Sequence, residues 1–196
     1  MFQVRFHGRG GQGVVTAAEM LSVAAFSEGR HAQAFPSFGS ERTGAPIVSF
    51  CRFDDHPIRS REPVMSPDAL IIQDATLLHQ VDLFAGLSHD GYVLINTSKS
   101  FADLGLDDFF KDFHPERLLT CPATELALEQ LGRPLPNAAL LGGFAALTKQ
   151  VALEAINAAI RERFAGAIGE RNVAAATAAY RLVVLAQEER IRVASN

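Results

Sequence analysis

Apolar and polar positions alternate at the start of the chain, Phe2-Gln3-Val4-Arg5-Phe6-His7, the period of a strand. Gly8 to Gly13 interrupts regular structure. From Val14 the apolar positions Val14, Ala18, Leu21 and Ala25 share one face of a helix, with Gly29 placed to end it. His31 to Phe35 predicts a second strand, and the breaker-rich stretch from Pro36 to Pro46 a loop. Ile47 to Phe53 reads as a strand, turning at Asp54-Asp55-His56-Pro57 and returning as a hairpin over Ile58-Arg59-Ser60. The short apolar runs Ala69–Ile72 and Tyr92–Ile95 suit strands buried on both faces. A short helix is expected between them, near Ala75 to Phe84, then a polar, Phe-rich excursion over Thr97 to Pro115 and a last strand at Arg117 to Thr120. The remainder predicts helices: one with Pro122 as its first residue, ending at Gly132; one capped by Asn137 and running through Ala146; one with Leu153, Ile156, Ile160 and Phe164 on its apolar face; and an Ala-rich one over Val173 to Val193 capped by Asn172. Strands alternating with helices, then helices alone, predict an α/β fold: one domain over residues 1–196, with a mostly parallel sheet between helical layers. The expected hairpin makes that sheet mixed.

Composition narrows the function classes. With 18 Lys+Arg against 22 Asp+Glu and a net charge of −4, the chain offers no diffuse basic field for nucleic acid. No apolar run reaches the ~18–20 residues of a membrane helix, and the amino terminus lacks a secretory signal pattern. The two cysteines, Cys51 and Cys121, are too few for an iron–sulfur cluster or a structural zinc site, and the six histidines are scattered. Two lone thiols suit a reducing, cytoplasmic compartment.

The sharpest chemical feature is Gly8-Arg9-Gly10-Gly11-Gln12-Gly13, a G-x-G-x-x-G pattern lying between a predicted strand and a predicted helix. Glycines allow a tight turn and close approach of an anion, and the first free N–H groups of the helix point at it. Gly13 is followed by Val14-Val15 rather than Lys-Ser/Thr, so this is not a nucleoside-triphosphatase loop. The second strand ends Gln33-Ala34-Phe35-Pro36 without the carboxylate that a nicotinamide dinucleotide site uses on its ribose. A different diphosphate, such as an ADP-containing thiol cofactor, fits better. Arg9 within the loop and Arg42 after the second strand are candidate cations, and Asn96 ends a strand on the same edge. No G-x-S-x-G elbow is present, and Asp54-Asp55 sits in a predicted turn, so no catalytic set is visible.

Several segments together carry a resemblance. Gly8-Arg9-Gly10-Gly11-Gln12-Gly13-Val14-Val15-Thr16-Ala17-Ala18 resembles the opening of the gamma subunit of the 2-oxoacid:ferredoxin (acceptor) oxidoreductases of pyruvate synthase type. Phe35 to Pro46, Asp68 to Asp74, Leu94 to Thr97 and Leu131 to Gly143 match later segments in order and spacing, so the resemblance spans Phe2 to about Tyr180. It implies a Rossmann-like α/β/α domain of three layers. It also implies a place in a complex that converts a 2-oxoacid and coenzyme A to acyl-CoA, CO2 and two electrons. Thiamine diphosphate would lie on alpha and beta units and iron–sulfur clusters on a delta unit, with ferredoxin or another acceptor taking the electrons.

In such relatives the gamma unit helps hold coenzyme A at its Gly-rich loop and at the loop matching Ser40 to Ala45. The positions carried over are Gly8, Arg9, Gly10, Gly11, Gln12, Gly13, Arg42, Asn96 and Asn137, with no catalytic and no metal-binding residue. Some relatives have two lysines where this chain has Glu41-Arg42. A carboxylate beside a polyphosphate is unfavourable, so Glu41 is left out. Two alternatives stand beside this reading: a self-contained NAD- or FAD-binding oxidoreductase domain, and a purely structural subunit whose small-residue helices receive a partner.

Overall fold

A computed structural model describes residues 1–37 and 43–194. Its elements are β1 (Phe2–Arg9), α1 (Val14–Ser27), β2 (His31–Pro36), β3 (Pro46–Asp54), β4 (Ala69–Ile72), β5 (Tyr92–Asn96), α2 (Asp107–Phe110), β6 (Leu118–Cys121), α3 (Ala123–Leu131), α4 (Asn137–Thr148), α5 (Leu153–Arg163) and α6 (Gly166–Ala194). One six-stranded sheet has the order β2-β3-β1-β4-β5-β6. The β1/β4, β4/β5 and β5/β6 pairs are parallel, and β3 alone runs against its neighbours β1 and β2. The fold is α/β with a mixed, mostly parallel sheet and a helical carboxyl-terminal part, as the sequence predicts. The antiparallel component arises differently, however. Ile58 to Ser60 form no strand, and β3 pairs in register from Phe2↔Phe53 to Arg9↔Pro46 instead.

The two faces of the sheet are covered by different means. On one, Val4, Phe6, Cys51, Phe53, Ile71, Leu94 and Leu119 pack under α1 and α3 to α6. Every residue of α4 is buried, so this helix has no polar face to solvate. It can lie this deep because Gly142 and Gly143 let α6 cross it: a Cβ at Gly142 would overlap the carbonyl of Ala176. The Ala-rich stripe of α6 (Ala175, Ala176 and Ala179, all 0% exposed) therefore faces its own chain rather than a partner. On the other face, Leu70, Ile72, Val93, Ile95 and Leu118 meet Leu77, Leu83, Phe101, Phe110 and Phe113. These come from a 3-10 turn at Ala75–His79, shorter than the helix predicted there, from the turn after it that carries Leu83, and from the Phe-rich segment before β6.

Over β1 and β3 the second face is held by buried arginines. Arg5 donates to the carbonyls of Leu83 (2.9 Å) and Ala85 (2.7 Å) and, through Nε, to His7 Nε2 (3.0 Å). Arg52 donates to Gln3 Oε1 (3.0 Å) and to the carbonyls of Ser60 and Glu62. These guanidinium contacts, not strand pairing, tie down the segment after the turn.

Three helix starts differ from expectation. Pro122 precedes α3 as its cap position, and Pro136 takes that place before α4, making Asn137 the first helical residue. Asn172 lies inside α6, where its Nδ2 donates to the Ile168 carbonyl (2.9 Å). A residue type that favours caps is here satisfied one helical turn back along its own helix.

Two predictions follow from this packing. Gly142→Ala should destabilise the chain by about 1–3 kcal/mol through overpacking of α4 against α6, measured by urea denaturation. His7 is pushed down to about 3 from 6.5, first by burial and then by the neighbouring charge of Arg5. The unfolded chain therefore binds a proton below pH 6.5 that the folded chain refuses. The stability contributed is complete above 6.5 and falls as the pH drops toward 3. Between pH 7.5 and pH 5 the loss through this group should be about 2 kcal/mol, and His7→Gln should flatten that slope in denaturation curves taken across the range.

Candidate phosphate-binding mouth

The first crossover leaves β1 through α1 on one face, whereas the chain leaves β4 toward β5 on the other. The carboxyl ends of β1 and β4 thus flank a topological switch point, where open α/β sheets bind ligands. Gly8 to Gly13 lies there. Gly13 takes a left-handed conformation (φ 72°) immediately before α1, and no side chain caps the helix and no acid occupies its first turn. The N–H groups of that turn, from Val14 to Thr16, are left by helix geometry to face outward.

The predicted positions play unequal parts. Gly8 is buried in β1, where an added Cβ would meet Val14 Cγ2 at 2.5 Å, so it serves strand–helix contact. Gly10 is stitched to the return of the second loop: its N–H donates to Ala45 O (2.9 Å), and its carbonyl accepts from Gly44 N (3.1 Å). Gly11 is exposed, has φ 94° and has open space where a Cβ would stand. A Cβ on Gly13 would meet Asn137 Nδ2 at 2.6 Å. Asn137 is nearly buried, and its Oδ1 accepts from Ala138 N (2.9 Å), so its amide nitrogen is turned toward the start of α1. The amino ends of α1 and α4 meet here. Arg42 lies outside the described residues, but Thr43 after it bridges Gly10.

Arg9 and Gln12 are engaged elsewhere. Gln12 Oε1 accepts from Arg9 N (2.8 Å) while its Nε2 donates to Asp74 Oδ2 (2.8 Å), and Arg9 Nε reaches the same oxygen at 3.1 Å. The rest of the Arg9 guanidinium bonds Gly44 O, Thr76 Oγ1 and Gln80 Oε1. Asn96 is occupied too: its Nδ2 donates to Gln73 O and Thr124 Oγ1, and its Oδ1 accepts from Thr124 N (3.1 Å), which fastens the start of α3. These three side chains shape the site; they do not present free groups to it.

Two residues absent from the predicted set are central. For the Asp74 carboxyl, burial is outweighed by hydrogen bonds from Thr76 and Gln12 and by the charge of Arg9, which together hold it below the usual carboxylate range. Gln73 is 1% exposed, and neither side-chain amide atom has a hydrogen-bond partner among the described residues. Its Cβ lies beside Gly8. Both lie in the segment Asp68 to Asp74 that carries part of the family resemblance, as a polar pair directly after the apolar run of β4. Neither thiol is reactive. Burial raises Cys51, and burial together with Glu125 pushes Cys121 up to about 12.

The family profile for pyruvate ferredoxin/flavodoxin oxidoreductase matches residues 3–182. The chain belongs to that family. It is 48% identical, over 94% of its length and 98% of the relative's, to the pyruvate/ketoisovalerate oxidoreductases common subunit gamma of Thermococcus kodakarensis. It is 46% identical to pyruvate synthase subunit PorC of Methanothermobacter marburgensis, over 92% of this chain and 96% of the relative. The crystal structure of pyruvate oxidoreductase subunit PORC from Thermotoga maritima superposes with a TM-score of 0.79 at 36% identity, covering 92% and 95% of the two chains. This is therefore a gamma-type subunit of a multi-subunit oxidoreductase. Among the described residues of the gamma chain, no three His, Cys, Asp or Glu side chains converge as a metal site, and no helix is long and apolar enough to cross a membrane.

Asp74→Ala should release both Arg9 and Gln12. We expect a loss of about 1–3 kcal/mol from the unpaired partners, with faster amide exchange at Gly10 to Gly13 in hydrogen–deuterium exchange.

Proposed function

We propose that this gamma subunit holds the diphosphate of coenzyme A at the amino end of α1, within a complex that turns a 2-oxoacid and coenzyme A into acyl-CoA, CO2 and two electrons. The observation that carries the reading is the open, uncapped start of α1 at the sheet's switch point, with exposed Gly11 and the Asn137 amide beside it. Each charge-assisted bond from an outward N–H to a phosphate oxygen contributes about 1.5–3 kcal/mol. The side-chain amide of Gln73, unpaired among the described residues, adds a buried polar group near this edge, and such groups are rare in folded chains.

The reading assigns this chain binding and orientation of the thiol substrate. Decarboxylation would occur at thiamine diphosphate on alpha- and beta-type partners, and electrons would leave through iron–sulfur clusters on a delta-type partner to ferredoxin or a similar acceptor. The names of the relatives support pyruvate, or a branched 2-oxoacid such as ketoisovalerate, as the oxidised substrate. Arg42 adds positive charge from the second loop. A reducing cytoplasmic setting suits two unpaired, buried thiols.

A stand-alone nicotinamide site is disfavoured by topology as well as by sequence. β3 separates β2 from β1. The end of β2 therefore lies two strand spacings, roughly 10 Å, from the loop, too far for a ribose-binding acid in the usual arrangement.

Thr16→Glu tests the assignment. A carboxylate in the first turn favours the helix but repels phosphate at its mouth. In the reconstituted complex, KM for coenzyme A should rise at least about ten-fold (equivalent to ~1.4 kcal/mol), with assembly and CoA-independent decarboxylation unchanged. An unaltered KM would reject the site.

A further inference from the structure

Beside the mouth, and sharing Asn137 with it, lies a cleft of about 470 Å³ between the end of α3, the loop before α4 and the first turns of α6. That volume is in the range of small-molecule sites. Its walls are apolar, formed by Leu131, Leu135, Phe164 and Ile168. Set into them is Asn172, 3% exposed, whose Nδ2 is held by the Ile168 carbonyl, so that Oδ1 is the atom left to accept a hydrogen bond. Arg133 and Arg171 stand at the rim, and neither makes an ion pair among the described residues. The combination is an apolar cleft, one buried acceptor and two planar cations.

Few ligand chemistries use all three. A fatty chain needs no buried acceptor, and a simple dicarboxylate needs no apolar slot. An aminopurine uses each part: the ring fills the slot, its exocyclic amino group donates to Asn172 Oδ1, and guanidinium groups stack on it or meet its phosphates. The shared Asn137 ties slot to mouth, because its Nδ2 points to Gly13 while its side chain lines the cleft.

We propose that this cleft receives the adenine ring of the nucleotide whose phosphates lie at the start of α1, with Asn172 reading the amino group. The proposal rests on the coenzyme A reading above and adds to it the part of the chain that selects the base. It makes Asn172 and Ile168 specificity residues, although neither belongs to the Gly-rich loop.

The test uses the reconstituted complex and two thiol substrates, coenzyme A and 1,N6-ethenocoenzyme A, in which the amino donor is lost. Wild type should show a KM for the etheno analogue at least about ten-fold above that for coenzyme A, the scale of one buried hydrogen bond. Asn172→Leu should bring the two values within about two-fold by raising that for coenzyme A. Ile168 is 61% exposed, so Ile168→Glu is tolerated by the fold and should raise both values by narrowing and charging the slot. Equal use of both thiols by wild type, retention of the preference in Asn172→Leu, or an unchanged KM in Ile168→Glu would each overturn the adenine site. If Thr16→Glu still raises KM under those outcomes, the phosphate site stands and only the cleft is misassigned; if Thr16→Glu has no effect, the phosphate reading itself falls.

Discussion

Arg9, Gln12 and Asp74 close a ring of hydrogen bonds across the carboxyl ends of β1 and β4. The site depends on this ring. A loop with glycines at four of six positions has a large conformational freedom to lose on folding. The ring removes that freedom from the side away from α1. Gln12 folds back onto the amide of Arg9, while the guanidinium clamps the loop to Gly44, Thr76 and Gln80. What stays unclamped is the other side, where Gly11 is exposed and α1 begins without a cap. The two polar side chains of the motif, Arg9 and Gln12, are therefore supports, and what it leaves exposed is main chain.

That division explains what could be read from the residue pattern. The loop's existence, its position between strand and helix, and the helix starting at Val14 all follow from local spacing and glycine chemistry, and the structure has them where the pattern puts them. The role of Arg9 does not follow, because Asp74 is 65 residues away and nothing local announces the pairing. Asn96 shows the same limit. It does end a strand on the correct edge, but its partners are Gln73 and Thr124, brought close only when β4, β5 and α3 assemble. Long-range hydrogen bonding turned candidate ligands into braces and left the side chain of Gln73 without a partner among the described residues.

The fold was legible to a similar depth. Apolar runs and breakers located every strand, yet the insertion of β3 between β1 and β2 is a matter of topology that periodicity does not encode. The segment from Ile58 to Ser60 resembled a returning strand because it follows a turn. Arg52, buried at 2% exposure, instead donates to the carbonyls of Ser60 and Glu62 in a non-repetitive stretch. The small residues of the last helix suited, by sequence, a surface that receives a partner. Only the approach of Gly142 to Ala176 decides for packing.

The distribution of ionisable groups bears on how such a subunit divides labour with its partners. His7 is buried and neutral, and both thiols are buried and pushed toward the protonated form. Arg5 and Arg52 are committed to carbonyls, and Asp74 to its ring. A general acid or base needs a titratable group poised near neutrality and within reach of the reacting atom, and the core supplies none in that condition. What the switch point does supply is a row of fixed dipoles at the meeting of α1 and α4, already oriented before a ligand arrives. Such a surface suits the binding and orientation of an anionic ligand rather than proton transfer.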